Sequence, residues 1–219
     1  METIPLQPLD AENEETIEWP IEWCKESATL KNLLEDLEGT GGTIPVPEVT
    51  STTLAHIGEL VSEYLSRRTT ESLTATYFEA LHTRWQERQQ PKPADLLGVG
   101  APPARPEWLR TMLLSIEKEG GMALFDVLLG ANYLDIPLVV LAVAHFLADK
   151  TAEIIERGDE LEKTLTELRE IFQVENDFEP EEYEKIKKEL SWCMATQPTS
   201  TPTASATTAD DNSNQMECD

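Results

Sequence analysis

Acidic side chains are the most abundant groups in this sequence that could do chemistry. Two carboxylates held close together can work as general acid and general base, and the neighbours Glu181 and Glu182 are such a pair. The chain has 42 acidic residues, however, so neighbouring carboxylates arise by chance. We interpret them as solvated helix faces, and no residue is predicted to be catalytic.

Histidine and cysteine side chains, which bind metals and act as nucleophiles, are few and scattered. They are His56, His82 and His145, and Cys24, Cys193 and Cys218. No two histidines share a helical turn, and the cysteines lack the spacing of a zinc site or of a disulfide framework. The glycines at 39–42 precede a strand rather than a helix, the wrong context for a phosphate-binding loop. The sequence therefore predicts no metal and no cofactor, a reducing compartment, and a core or interface role for His145.

The charge balance narrows the classes of partner. Against 42 acidic residues stand 17 basic ones, for a formal net charge of −25. Nucleic acids and anionic membranes are not expected as partners, because both are bound through lysine and arginine. The N-terminus lacks the basic start and apolar run of a secretory signal, and the apolar stretch 136–148 is too short to span a bilayer. We expect a cytoplasmic and nuclear protein with 136–148 as the central helix of its core.

The first 65 residues predict a β-β-α-β-α order of elements. The weak alternation of residues 3–25 indicates a short hairpin, in which Pro5, Pro8 and Pro20 favour edge positions. Two apolar stripes at helical spacing follow, separated by the strand-like TIPVPEV: Leu30, Leu33, Leu34 and Leu37, and then Leu54, Ile57, Val61 and Leu65.

The pattern changes twice after this mixed opening. From about residue 66 to 104 the periodicity loosens, and we predict an insertion with a partly helical piece in SLTATYFEALHTRWQER and a disordered, Pro-rich second half. Only helical signals follow, up to a Ser/Thr-rich tail that is predicted to be disordered.

The last helical signal, in QVENDFEPEEYEKIKKELSWC at 173–193, is an apolar stripe on a charged helix. Pro180 suits the first helical position, and Phe178 before it has the spacing of a hydrophobic staple with Tyr183. The stripe consists of Tyr183, Ile186, Leu190 and Cys193. Since such a stripe must be buried, it is expected to lie against this protein's core or against a partner.

Two stretches resemble the Skp-type adaptors of SCF ubiquitin ligases. The first is LFDVLLGANYLDIP at 124–137, which is similar to the family's helix with the motif A-N-Y-L-D-I. The second is IFQVENDFEPEEYEKIKKELSWC at 171–193, which is similar to the family's segment with N-D-F, Pro-Glu-Glu and a closing W-C. IPLQPLD, ESATLKNLLEDL and IPVPEVTSTTL are similar to the family's first strand, first helix and third strand, in that order. The resemblance covers roughly 1–65 and 106–193.

The resemblance implies an α+β fold of the BTB/POZ type, with a small three-stranded sheet, a helical cluster and C-terminal F-box-binding helices. The expected organisation is a first part of the domain at 1–65, a largely flexible insertion at 66–104, the rest of the domain at 105–150, F-box-binding dimerisation helices at 151–193 and a disordered tail at 194–219.

The implied function is that of a non-catalytic adaptor, which joins an F-box substrate receptor to a cullin and, indirectly, to a RING protein and a ubiquitin-conjugating enzyme. By position, Asn132 and Tyr133 are expected to face the cullin. The residues expected to bind the F-box are Leu124, Phe125, Leu168, Ile171, Phe172, Val174, Asn176, Asp177, Phe178, Tyr183, Ile186, Leu190, Trp192 and Cys193. Pro180 occupies the position that some lineages of the family hydroxylate and glycosylate, which makes it a candidate modification site.

The sequence departs from the family at several points. An apparent four-residue addition, DELE at 159–162, predicts a helix that is longer by about one turn, and Leu165 replaces a usual proline. Glu179 replaces the usual threonine cap. Two alternatives stay open: a divergent member that binds F-box-type partners without a cullin, in a structural assembly, and an elongin-C-like subunit, against which both C-terminal helices argue.

Overall fold

The computed structural model describes residues 2–11, 15–36, 42–89, 104–120, 122–158 and 161–195. The chain divides into two compact units, Met1–Glu175 and Asn176–Asp219. In chain order the described elements are β1 (Thr3–Pro8), β2 (Ile17–Pro20), α1 (Ile21–Cys24), α2 (Ala28–Asp36), β3 (Ile44–Val46), α3 (Ser51–Arg67), α4 (Ser72–Gln89), α5 (Glu107–Glu119), α6 (Ala123–Tyr133), α7 (Pro137–Glu156), α8 (Leu161–Phe172) and α9 (Pro180–Ala195). The expected α+β class with a three-stranded sheet is confirmed.

The sheet places β1 in the centre, in the order β2-β1-β3. β1 pairs antiparallel with β2, which confirms the hairpin, and parallel with β3. The prediction that Pro5 and Pro8 lie on an edge strand is therefore wrong. The register explains how a central strand accepts them: Pro5 is paired only with β2, opposite Glu18, and Pro8 only with β3, opposite Val46. Each proline thus has one side on which no ladder hydrogen bond is needed.

The predicted stripe of α3 forms one wall of the core. Leu54, Ile57 and Val61 are fully buried, and the Thr50 side chain caps the helix by accepting a hydrogen bond from the Thr53 N–H. In α2 only Leu30 is fully buried, whereas Leu37 lies outside the described residues.

The helical piece expected within the insertion is present as α4, and it packs into the core. Tyr77, Phe78 and Leu81 are buried. Polar contacts also hold the helix: Trp108 Nε1 donates to Thr74 Oγ1 at 3.0 Å, and a 2.8 Å hydrogen bond joins the Tyr77 hydroxyl to a nitrogen of a histidine on α7. The buried residues of α4 therefore belong to the core. The Pro-rich second half, from residue 90 to 103, lies outside the described residues.

The apolar stretch predicted to be the central helix is the first part of α7. Its buried side chains include Val139, Val143 and Phe146, and Pro137 occupies the first turn, where its missing N–H costs nothing. The helix ends at Gly158, whose φ of +66° is the left-handed conformation of a helix C-cap. No helix in the described part of the chain is long and apolar enough to cross a membrane.

The C-terminal helices begin as the sequence predicts. α8 starts at Leu161 and continues without a break through Leu165, where the resemblance would place a proline. α9 starts at Pro180, and its Glu182 carboxylate accepts a hydrogen bond from the Glu179 N–H at 3.4 Å. This bond is one half of a capping box, which offsets the loss of a threonine cap. Asp159, the first residue of the four-residue addition, and the tail from residue 196 lie outside the described residues.

Candidate partner-binding surfaces

Asn132 and Tyr133 lie in solvent at the C-terminal end of α6. Both side chains are exposed, Tyr133 by 40%. The residues that follow alternate: Leu134 and Ile136 are buried in the core, while Asp135 between them is exposed. The two residues predicted to face a cullin are thus held at the surface by apolar anchors next to them. We call residues 132–136 the α6 turn.

The backbone of the α6 turn is a Schellman-type helix end. Asp135 has a φ of +51°, and the Ile136 N–H reaches back to the Ala131 carbonyl at 2.9 Å. Aspartate tolerates the left-handed region better than most side chains. The turn therefore ends α6 sharply and directs the chain into α7.

Close packing against α3 fixes the second half of α6. A Cβ placed on Gly130 would lie 2.9 Å from a methyl group of Thr53 and 3.2 Å from Ile57 and Val49. Glycine is required here because α3 and α6 approach each other closely.

The other end of α6 carries a second surface, which α8 completes. Phe125 is half-buried, and its ring centroid lies 6.0 Å from that of Phe172, which is 43% exposed. Leu168 and Ile171 are half-buried beside them on α8, and Val174 is exposed. We call Phe125, Leu168, Ile171, Phe172 and Val174 the aromatic patch; all five are among the residues predicted to bind an F-box.

Leu124 differs from its neighbours in the F-box prediction. Its side chain is only 3% exposed and belongs to the core of the first unit. The helix turns by about 100° from one residue to the next, so Leu124 and Phe125 lie on different faces of α6. Leu124 supports α6 from within and does not form part of the exposed patch.

The remaining predicted F-box residues belong to the second unit. Asn176, Asp177 and Phe178 are exposed in the segment before α9. Tyr183 and Ile186 on α9 are half-buried. The side chains of Leu190, Trp192 and Cys193, and hence the end of the predicted stripe, lie outside the described residues. Pro180 is exposed at the start of the helix, so its ring is accessible for modification.

Sequence reasoning missed Leu129. It is 63% exposed, the largest exposure among the described large apolar side chains, and lies one helical turn before Tyr133 on α6. Its spacing of four residues from Tyr133 was the available signal, since residues i and i+4 share a helix face. The exposure of Leu129 was not predicted because α6 is mostly apolar, and an apolar residue in such a helix is expected in the core.

Two histidines of the first unit have structural partners. A 2.8 Å hydrogen bond joins the Tyr77 hydroxyl to His145 Nδ1, as expected for a core histidine, and His56 Nε2 lies 3.0 Å from a Glu119 carboxylate oxygen. Burial raises the pKa of Tyr77, and burial raises the pKa of the Cys24 thiol to about 11, which keeps it protonated and unreactive. Within the described residues no cluster of metal-binding side chains is found.

Known proteins are similar to this chain over most of its length. Residues 138–193 match the family model described as Skp1 family, dimerisation domain. The chain is 32% identical over 189 residues to the SCF ubiquitin ligase complex protein SKP1a of Dictyostelium discoideum, a match that covers 86% of this chain and 95% of that protein. The chain belongs to the Skp1 family. The resemblance seen in the sequence motifs is thereby confirmed.

Other members of the Skp1 family match at similar levels. SKP1-like protein 20 of Oryza sativa subsp. japonica is 30% identical over 169 residues, covering 77% of this chain and 83% of that protein. The S-phase kinase-associated protein 1 homolog of Tetrahymena thermophila is 31% identical over 185 residues, with coverage of 84% and 90%. The range of the Skp1 family model begins at the second residue of α7 and ends at Cys193, so it includes α8 and most of α9.

Proposed function

We propose that this Skp1-family chain is a non-catalytic adaptor subunit of an SCF ubiquitin ligase, which joins an F-box protein to a cullin. The relative from Dictyostelium carries the SCF complex in its name. A cytoplasmic and nuclear location, inferred from the sequence, is part of the proposal. The ligase's RING protein and ubiquitin-conjugating enzyme would be reached through the cullin.

One observation carries the proposal: a single rigid helix presents two separate surfaces. Phe125 in the aromatic patch and Tyr133 in the α6 turn lie eight residues apart on α6. At 1.5 Å per residue this places them about 12 Å apart along the helix axis. An adaptor needs two partners bound at once, and α6 offers each partner its own end.

The two surfaces can be tested separately in pull-downs from the native host. We expect Tyr133→Ala to lose the cullin and keep F-box proteins, and Phe172→Ala to lose F-box proteins and keep the cullin. Truncating an exposed aromatic side chain that anchors an interface often costs about 2 kcal/mol of binding free energy, which lowers the affinity about 30-fold. Leu9→Ala, which removes an exposed leucine from the loop after β1, is the control and should keep both partners.

The contribution of the C-terminal segment is tested by truncation after Leu190, which removes Trp192 and Cys193. We expect lost F-box binding with an unchanged far-ultraviolet circular dichroism spectrum and retained cullin binding. Capture of F-box proteins without any cullin by the wild-type chain would contradict the adaptor proposal and favour a structural assembly instead.

A further inference from the structure

The N-terminal end of α2 touches the α6 turn, although the two are more than 100 residues apart in sequence. The Ser27 hydroxyl donates a hydrogen bond to the Leu134 carbonyl. The backbone N–H of Ala28 donates to the Asp135 carbonyl at 3.0 Å. Two consecutive carbonyls of the α6 turn are therefore held by two consecutive residues of α2.

Ser27 has a second bond that makes this contact rigid. Its Oγ accepts a hydrogen bond from the Leu30 N–H at 3.0 Å, the arrangement of a helix N-cap. The residue is fully buried, with 0% exposure. One hydroxyl thus caps α2 and satisfies a carbonyl of the α6 turn, and water has no access to replace either bond.

The charges at the two helix ends are complementary. The N-terminus of α2 carries the partial positive charge of unpaired N–H groups, and the C-terminus of α6 carries the partial negative charge of unpaired carbonyls. The two helix ends therefore attract each other. This attraction offsets the energetic cost of the left-handed conformation of Asp135, whose φ is +51°.

We propose that Ser27 is a positioning residue for cullin binding: it holds the α6 turn in the conformation that presents Asn132 and Tyr133. Ser27 itself is buried and touches no partner. Its effect on affinity comes from preorganisation, because a turn that is already ordered loses less conformational entropy when the partner binds. This inference rests on the proposed adaptor function.

The test compares Ser27→Ala with Thr74→Val. Thr74 is a matched control: it is also fully buried, its hydroxyl donates to a Glu71 carboxylate oxygen at 3.0 Å, and it accepts from Trp108 Nε1. Each variant therefore deletes one buried hydroxyl with two hydrogen bonds. The two hydrogen-bond partners of Thr74 are Glu71, just before α4, and Trp108 on α5, and neither belongs to the α6 turn.

Two readouts separate positioning from a general loss of stability. The first is the Kd for a recombinant cullin and for a recombinant F-box protein of the same host, measured by calorimetry. We expect Ser27→Ala to weaken cullin binding about tenfold with F-box binding changed less than about twofold. Thr74→Val should leave both constants within about twofold of the wild type.

The second readout is amide hydrogen exchange of the free chain. In Ser27→Ala we expect faster exchange at residues 132–136, and in Thr74→Val unchanged exchange there. Equal cullin affinity of Ser27→Ala and wild type, or unchanged exchange in the α6 turn, would overturn the positioning role alone. A wild-type chain that binds no cullin would overturn the proposed function, and this inference with it.

Discussion

Single residues determine where the helices of this Skp1-family chain end. Asp135, Gln173 and Gly158 all have a φ between +51° and +66°, and each follows the end of a helix. After α8, the Val174 N–H reaches back to the Arg169 carbonyl at 3.0 Å, so Gln173 ends α8 much as Asp135 ends α6. The two non-glycine residues in this conformation adjoin the α6 turn and the aromatic patch, and so the surfaces predicted to bind partners begin where helices are sharply terminated.

Gly158→Ala tests the cost of the left-handed conformation. No heavy atom would lie within 4 Å of the added Cβ, so backbone strain is the only penalty. We expect the free energy of unfolding to fall by about 1 kcal/mol, measured by urea denaturation. Gly120→Ala is the control, because its Cβ site is also open while its φ of 162° is extended. Equal effects of both substitutions would contradict the assignment of strain to Gly158.

At the scale of elements, α4 shows how a weak sequence pattern becomes part of the core. The helix buries Tyr77 and Phe78, and the Phe78 ring packs near Trp108 of α5 and edge-on to Tyr64 of α3. Other described side chains of α4 lie outside the core. Leu73, on the same helix, is 48% exposed.

Phe78→Ala and Leu73→Ala form a matched pair on α4. The first substitution leaves a cavity in the core and is expected to lower the free energy of unfolding by about 3 kcal/mol. The second removes an exposed side chain and should change it by less than about 0.5 kcal/mol. Chemical denaturation followed by tryptophan fluorescence measures both. A flexible insertion would instead show two small and similar effects.

The helices and strands also show how much of the structure sequence periodicity can predict. The stripe of α3 was predicted because its apolar positions repeat every three or four residues, and the first part of α7 was predicted as the central helix because it is apolar nearly all round. The position of β1 was predicted wrongly, since strand order depends on pairing between distant segments and not on local composition. The register alone reveals that Pro5 and Pro8 each have a free side.

For the molecule as a whole, the net charge of −25 is the dominant property. Repulsion between like charges destabilises the compact state, and dissolved salt screens it over a Debye length of about 10 Å at 0.1 M. Several basic side chains form ion pairs, such as Arg105 with Asp149, 2.7 Å apart, and Arg68 with Glu26, 3.0 Å apart.

We therefore expect the Tm to rise between about 0.02 M and 0.2 M sodium chloride, as repulsion is screened. Differential scanning calorimetry measures the shift. Potassium chloride at the same ionic strengths is the control, since screening depends on ionic strength and not on the cation. A Tm that falls with salt would show that ion pairs outweigh the repulsion.

The sequence by itself determined the family, the order and type of most elements, and the absence of a recognisable catalytic motif. Local periodicity and short motifs such as ANYLDI and NDF carry this information, because they depend on residues that are neighbours along the chain. The predictions for Asn132, Tyr133 and Phe172 rest on such motifs, and all three side chains are exposed.

Only the tertiary structure decided which apolar residues face outward and what holds them there. Leu124 is buried whereas Leu129 is exposed, although both are leucines on one apolar helix. The contact of Ser27 with the Leu134 carbonyl joins segments 107 residues apart. This hydrogen bond does not follow from spacing, because long-range contacts depend on which distant elements the fold brings together.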